Sequence, residues 1–254
     1  MFELFPIADP VPWPFAGIFW PIATTITVYL IFVLKLGPMV MANREPFNLR
    51  GVLKVYNLFQ VIFNILLVLW GLHAVLWKRP YPDFSCIMTL PFDHEMKNTE
   101  RMIGYLYYVN KIIDLLDTVF FVLRKSYKQI TKLHLIHHVY MASASYFFTR
   151  LYGYGGHFLI LAGLNTITHI AMYAYYYLSS QNPNIKQSIW WKQYITILQM
   201  VQFVMMFSHS FWTLMQPECE VPFLPIFIIL FMSGVMFVMF SDFYIKAYLK
   251  KKTT

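Results

Sequence analysis

The feature that most constrains this fold is a series of apolar stretches, each long enough to cross a bilayer. Only 13% of the residues are charged, whereas a soluble domain has about 25%. The sequence therefore predicts an all-α integral membrane protein, a bundle of seven transmembrane helices. No linker or low-complexity stretch divides the chain, so we expect one domain over residues 1–254 with a short tail at 246–254. The predicted spans are Phe15–Lys35, Val52–Trp77, Met102–Leu123, Thr131–Leu151, Gly156–Ser179, Ile189–Thr213 and Phe223–Tyr248.

Basic and acidic residues alternate between successive loops, which predicts the orientation of the chain. The basic loops and tail contain Lys35, Arg44, Arg50, Lys54, Arg124, Lys125, Lys128, Lys132, Lys186, Lys192, Lys246 and Lys250–Lys252. The alternate loops contain Asp83, Asp93, Glu95, Glu100, Glu218 and Glu220. This alternation is consistent only with an odd number of spans, which puts the two termini on opposite sides of the membrane. The positive-inside rule then places the N-terminus in the lumen and the C-terminus in the cytosol. The net charge of +8 either reflects topology alone or forms a docking surface for a polyanion.

The tail and the cysteines bear on the cellular compartment. Lys251 and Lys252 resemble the di-lysine retrieval signal of endoplasmic reticulum membrane proteins, although an ordinary basic flank after the last helix would look the same. Cys86 and Cys219 both fall in predicted lumenal loops, where disulfides persist. We expect a disulfide between them, with two unpaired thiols as the alternative.

A histidine cluster lies inside the fourth predicted span. His134, His137 and His138 share one helical face, and ionisable groups in a bilayer usually mark a functional site. The spacing resembles one box of the membrane di-iron oxygenases, but those sites need several boxes. The remaining histidines are isolated in the sequence: His73, His94, His157, His169 and His209. Metal-free acid–base or nucleophilic chemistry, with carboxylates that orient the imidazoles, is the favoured interpretation.

Other polar residues lie at the same predicted depth as the histidines. Asp114, Asp117, His169 and Gln199, on three further spans, should lie ~10–16 Å from the cytosolic ends of their helices. One buried polar chamber would explain this coincidence. Alternatively, single polar residues such as Asn165, Thr196 and Gln202 could each form a structural hydrogen bond between helices.

The histidine cluster and the polar residues at its depth belong to four motifs that follow one another along the chain. In these motifs the chain resembles the elongases of very-long-chain fatty acid synthesis, the membrane 3-ketoacyl-CoA synthases. The His-x-x-His-His box is at His134, His137 and His138. The Lys-x-x-Glu-x-x-Asp-Thr motif appears as Lys111, Asp114, Asp117 and Thr118, with aspartate in place of glutamate. The His-x-x-Met-Tyr-x-Tyr-Tyr motif matches His169, Met172, Tyr173, Tyr175 and Tyr176, with Asn165 one turn earlier. The Thr-x-x-Gln-x-x-Gln motif matches Thr196, Gln199 and Gln202.

The resemblance implies a seven-helix fold around an acyl-chain tunnel, located in the endoplasmic reticulum membrane. It also implies condensation of malonyl-CoA with a long acyl-CoA, without a cofactor or metal. We expect His137 to act as nucleophile and His169 to serve the malonyl unit, while His134 and His138 are held by Asp114 and Asp117. The substrate-binding residues would be Lys111, Asn165, Tyr173, Tyr176, Gln199 and Gln202. The phosphates of CoA would bind Arg124, Lys125, Lys128, Lys186 and Lys192.

The expected partners follow from the same resemblance. They are the lipid bilayer, the two CoA substrates and the other enzymes of the elongation cycle, namely a ketoreductase, a dehydratase and an enoyl reductase. A homodimer is also considered, and no nucleic-acid partner is expected. The alternative from another class is a seven-helix receptor or transporter with an intramembrane proton relay.

Overall fold

The computed structural model describes residues 7–250, which form helices joined by turns and loops and contain no β-strand. The helices are α1 Phe19–Met41, α2 Arg50–Trp77, α3 Lys97–Ile113, α4 Leu116–Leu123, α5 Lys132–Tyr152, α6 Phe158–Gln181, α7 Pro183–Gln187, α8 Ile189–Leu214 and α9 Phe223–Leu249. The prediction of an all-α fold is therefore confirmed. The proposed retrieval signal at Lys251 and Lys252 lies outside the described residues.

Within residues 7–250, five helices are long and apolar enough to cross a membrane, namely α1, α2, α6, α8 and α9. The chain is therefore a multi-pass membrane protein. The other two predicted spans correspond to α3 with α4 and to α5. The third predicted span is divided because the backbone tightens at Asp114. The N–H of Leu115 bonds to the carbonyl of Ile112, and that of Asp117 bonds to the carbonyl of Asp114. The count of seven spans stays a prediction.

The first span begins and ends later than the apolar pattern predicts. Phe15 and Gly17 have positive φ angles of 62° and 75°, which are incompatible with a right-handed helix, so α1 starts only at Phe19. The helix then continues past Lys35 to Met41. The prediction erred at this end because it treated Lys35 as the boundary of the apolar run.

A π-helical turn at Phe32–Leu36 allows α1 to continue into a proline. The N–H of Gly37 bonds to the carbonyl of Phe32, five residues earlier. Pro38 has no N–H and its ring would clash with a carbonyl in regular α-helix, so the wider turn accommodates it. A Cβ atom at Gly37 would lie 2.6 Å from Val122, so only glycine permits this close approach of α1 to α4.

The chain divides into two compact units. The single domain that the sequence indicates stays a prediction. The first unit comprises Met1–Leu49 and Glu100–Gly155. Its core is formed by Ile22, Tyr29, Val33, Met41, Tyr108, Leu115, Val122, Ala142 and Tyr146. The segment before α1 is fixed to this unit by an ion pair in which Arg101 donates to both carboxylate oxygens of Asp9.

The second unit comprises Arg50–Thr99 and Gly156–Thr254. Here α2 packs along α6, α6 packs on α8, and α8 packs on α9. The loop between α2 and α3 folds over its own small core of Tyr81, Ile87 and Leu90.

A disulfide joins Cys86 in this loop to Cys219, which follows α8. The two Cα atoms are 5.6 Å apart, and 133 residues separate the cysteines in the sequence. This is the pairing that the sequence favours. The same loop is held by His209 of α8, whose Nε2 atom lies 2.9 Å from the carbonyl oxygen of Phe84. Hydrogen bonds from the side chain and backbone of Ser85 lower the pKa of Asp83.

Candidate active site

The histidine cluster lies in the first two turns of α5. Thr131 caps this helix because its hydroxyl oxygen accepts a hydrogen bond from the backbone N–H of His134. The cap fixes where α5 begins and thereby which side chains share its face. His134 and His138 lie one turn apart with ring centroids 4.3 Å from each other, and the His137 ring stands edge-on to His138 at 5.6 Å. The three imidazoles therefore form one group, as the spacing predicts.

A chain of hydroxyl groups connects this cluster to α1. The Nε2 atom of His134 lies 2.8 Å from the hydroxyl of Thr118, which lies 2.7 Å from the hydroxyl of Tyr29. Thr118 is fully buried, and Tyr29 is 6% exposed. If Tyr29 donates to Thr118, the Thr118 proton is available for Nε2, and His134 is then neutral with its proton on Nδ1. The chain can therefore select the tautomer of one imidazole.

An ion pair lies beside the cluster in the same unit. The ammonium of Lys111 is 2.8 Å from Oδ2 of Asp114, and both residues are at most 2% exposed. The ring of Tyr107 contacts the same ammonium, with 5.0 Å between the nitrogen and the ring centroid. A buried charge pair requires such compensation because each ion loses its hydration. The three-residue spacing of the motif is what brings the two charges together on α3 and the following turn.

The Nε2 atom of His134 has a hydrogen-bond partner that the sequence did not indicate. In the structure His134 pairs with Thr118, and Asp114 pairs with Lys111. Asp117 is 9% exposed. The threonine of the motif therefore bonds to the first histidine of the box. The carboxylate support expected for His134 and His138 stays a prediction.

The three basic residues after α4 differ in exposure. Arg124 is half-buried, its terminal nitrogen donates to Gln129, and its Nε atom is buried without a hydrogen-bond partner among residues 7–250. Lys125 donates to the carbonyl of Ala42, whereas Lys128 is exposed. Of these three residues, exposed Lys128 is therefore the most accessible to an anion.

The second unit contains the other predicted site residues. On α6, Asn165, His169 and Tyr173 are at most 5% exposed, whereas Tyr176 is 38% exposed. The ring of Tyr173 stands edge-on to those of His169 and Tyr176, with centroids 5.6 and 6.0 Å apart. The motif on this helix therefore forms a packed aromatic group around one imidazole.

The residues of the glutamine motif lie on α8. Thr196 is buried and bonds to the carbonyl of Lys192 one turn earlier, which ties its hydroxyl to its own helix. The amide of buried Gln202 donates to the sulfur of Met206, and Gln199 is half-buried. Lys186 on α7 is exposed and Lys192 is half-buried.

Two histidines that are isolated in the sequence come together in this unit. The rings of His157 and His209 stack with centroids 4.8 Å apart, and Nε2 of His157 lies 2.9 Å from the hydroxyl of Ser210. They meet because the start of α6 lies beside the last turns of α8.

Comparison with known proteins identifies the family. The family model for ELO, described as the GNS1/SUR4 family, matches residues 14–254. The chain belongs to the ELO family. It is 44% identical to very long chain fatty acid elongase F of Drosophila melanogaster over 97% of its own length and 96% of that protein. Very long chain fatty acid elongase 1 of Mus musculus is 33% identical over 98% of this chain and 90% of the mouse protein.

In this ELO protein, each unit also contains buried polar contacts that the sequence interpretation missed. Tyr29 contacts Thr118, and on α2 the buried residues Tyr56, Gln60 and Asn64 contact one another. Tyr56 also reaches Tyr173, with 3.4 Å between the two hydroxyl oxygens. The available signal was the four-residue spacing of polar side chains within an apolar span, which predicts one shared helical face.

Proposed function

We propose that this chain is the condensing enzyme of fatty acid elongation, a very-long-chain 3-oxoacyl-CoA synthase. The observation that carries the proposal is the histidine cluster of an ELO family protein, in which Thr118 orients His134. The relatives are called very long chain fatty acid elongases, which supports a role in fatty acid elongation. Family membership also favours this function over a receptor or transporter.

The proposed reaction has two steps. A neutral imidazole nitrogen of His137 attacks the thioester carbonyl of a long-chain acyl-CoA, and the CoA thiolate leaves and takes up a proton. The product is an acyl-imidazole. Malonyl-CoA then loses carbon dioxide, and the resulting enolate carbon attacks the acyl carbonyl. The acyl–nitrogen bond breaks and the imidazole takes up a proton, which regenerates neutral His137, and the product is a 3-ketoacyl-CoA two carbons longer.

The other site residues have supporting roles in this proposal. His134 and His138 orient the nucleophile or relay protons, and Asp114 with Lys111 holds fixed charges beside them. His169 is proposed to serve malonyl-CoA.

The amides on α6 and α8 would donate to the thioester oxygen or the enolate. These residues are Asn165, Gln199 and Gln202. The half-buried guanidinium of Arg124 and the exposed ammonium of Lys128 suit the phosphates of CoA by their charge.

The cellular setting is also a proposal. The alternation of charged loops supports a lumenal N-terminus and a cytosolic C-terminus. The endoplasmic reticulum membrane is the location that the resemblance to the elongases implies. The disulfide between Cys86 and Cys219 fits loops on the oxidising side. In that setting the product would pass to the ketoreductase, dehydratase and enoyl reductase of the cycle.

The central experiment separates the two steps. Purified protein is mixed with acyl-CoA alone, and we expect release of free CoA together with an acyl adduct on the enzyme. Addition of radiolabelled malonyl-CoA should then yield labelled ketoacyl product. A series of acyl chain lengths in the same assay would define the preferred substrate.

His137→Ala should abolish both CoA release and product formation while the protein remains folded and inserted in the membrane. Normal turnover by this variant would remove His137 from the nucleophile role. Product formation without a detectable adduct would replace the two-step mechanism with direct attack.

A further inference from the structure

A ladder of buried polar side chains runs along one face of α2 in the second unit. The amide of Asn64 donates to the backbone carbonyl of Gln60 and to its side-chain oxygen, at 2.7 and 3.2 Å. The amide of Gln60 donates to the hydroxyl of Tyr56 at 3.3 Å, which in turn lies 3.4 Å from the hydroxyl of Tyr173. Gln60 and Asn64 have no exposed surface. The ladder therefore starts on α2 and ends on α6.

Buried amides inside an apolar span are costly unless they are hydrogen-bonded, so these bonds fix the side chains of the ladder in their positions. Tyr173 at its end is fully buried and lies among three aromatic rings. Its centroid is 5.8 Å from Tyr56, 5.6 Å from His169 and 6.0 Å from Tyr176, each in an edge-on arrangement. The position of the Tyr173 ring therefore defines the space available to the imidazole of His169.

We propose that Tyr56 and Gln60 are positioning residues for His169. Gln60 holds the Tyr56 hydroxyl, Tyr56 holds Tyr173 by its hydroxyl and its ring, and Tyr173 holds the imidazole. This inference rests on the proposed function, in which His169 serves malonyl-CoA. A catalytic side chain must stay within about 10–20° of its productive orientation, so loosening Tyr173 should impair the step that uses His169.

The experiment measures the two half-reactions of Tyr56→Phe and Gln60→Met separately. Tyr56→Phe keeps the ring and removes only the hydroxyl. Acylation is followed as CoA release from acyl-CoA alone, and condensation is followed by chasing the acylated enzyme with malonyl-CoA. The matched control is Tyr194→Phe, which makes the same change at a side chain in the same unit that is 54% exposed.

We expect acylation at the wild-type rate and condensation slower by about three- to tenfold, the effect of losing one net hydrogen bond. The control should match the wild type in both steps. In a Tyr56→Phe/His169→Gln double variant, the Tyr56 substitution should add no further loss, because the group that it positions is gone.

Three outcomes would overturn the inference. Condensation at the wild-type rate in Tyr56→Phe and Gln60→Met would show that the ladder does not act on this step. Equal slowing of both half-reactions would indicate a general loosening of the fold. If His169→Gln alone condensed normally, the role of His169 in the proposed function would fail as well, which distinguishes this result from the first two.

Discussion

The disulfide between Cys86 and Cys219 gives a prediction whose magnitude follows from the structure. Its 133-residue separation corresponds to about 5 kcal/mol in the loop-closure model, in which the bond restricts the unfolded chain. That value assumes a random coil. The unfolded state of a membrane protein in a micelle retains residual helix, so the entropy removed by the bond is smaller. We therefore expect Cys219→Ser to lower the free energy of unfolding by about 3 kcal/mol.

The measurement is thermal unfolding of purified protein in detergent. For a chain of this size, about 3 kcal/mol corresponds to a decrease in Tm of roughly 6–12 °C. Cys86→Ser should give the same decrease, and the double variant should lose no more than either single variant, because each removes the same bond. Wild-type protein treated with a reductant provides a chemical control and should approach the variants.

Two results would refute this reasoning. Free thiols at both positions in non-reducing mass spectrometry of the wild type would show that the bond does not form. Unchanged Tm in all three variants would show that the bond does not restrict the unfolded state.

The remaining predictions concern catalysis. Thr118→Val should reduce kcat about tenfold, because it leaves His134 without the hydroxyl that orients it, and a wild-type kcat would show that this hydrogen bond is dispensable. Activity should survive extensive chelation, and stoichiometric iron or zinc bound by the histidine cluster in elemental analysis would contradict the metal-free mechanism. Lys128→Gln and Arg124→Gln should each raise KM for acyl-CoA, and added salt should raise the KM of the wild type. Unchanged kinetics in both variants would move the CoA site elsewhere.

The fold class could be predicted from the sequence because bilayer thickness sets the length of an apolar helix. Five of the predicted spans have counterparts that meet that criterion within residues 7–250. The third did not appear as one helix, because the pattern of apolar residues does not report the change to a tighter turn at Asp114. The length of α1 was also misjudged, since a π turn before Pro38 is a backbone adjustment without a composition signal.

The site was predictable to the extent that its residues share one helix. His134, His137 and His138 group together because spacing within a helix fixes the face that side chains share. The pairing of His134 with Thr118 was not predictable, because charge alone favours a carboxylate partner. Contacts with other helices, such as that of Tyr29, depend on tertiary packing that helical spacing does not encode.

The π turn at Phe32–Leu36 limits how α1 can gain or lose a residue during evolution. One extra residue in a regular α-helix rotates all later side chains by about 100°, which in a membrane exchanges core-facing and lipid-facing positions. The π turn confines the extra residue to a single turn, so Val33 and Met41 both remain in the core of the first unit. A deletion within this turn would restore regular helix without moving Met41 to another face, but the ring of Pro38 would then meet the carbonyl of the residue four positions before it. Relatives in which this helix is one residue shorter are therefore expected to lack the proline, so that the change of length and the substitution are inherited together.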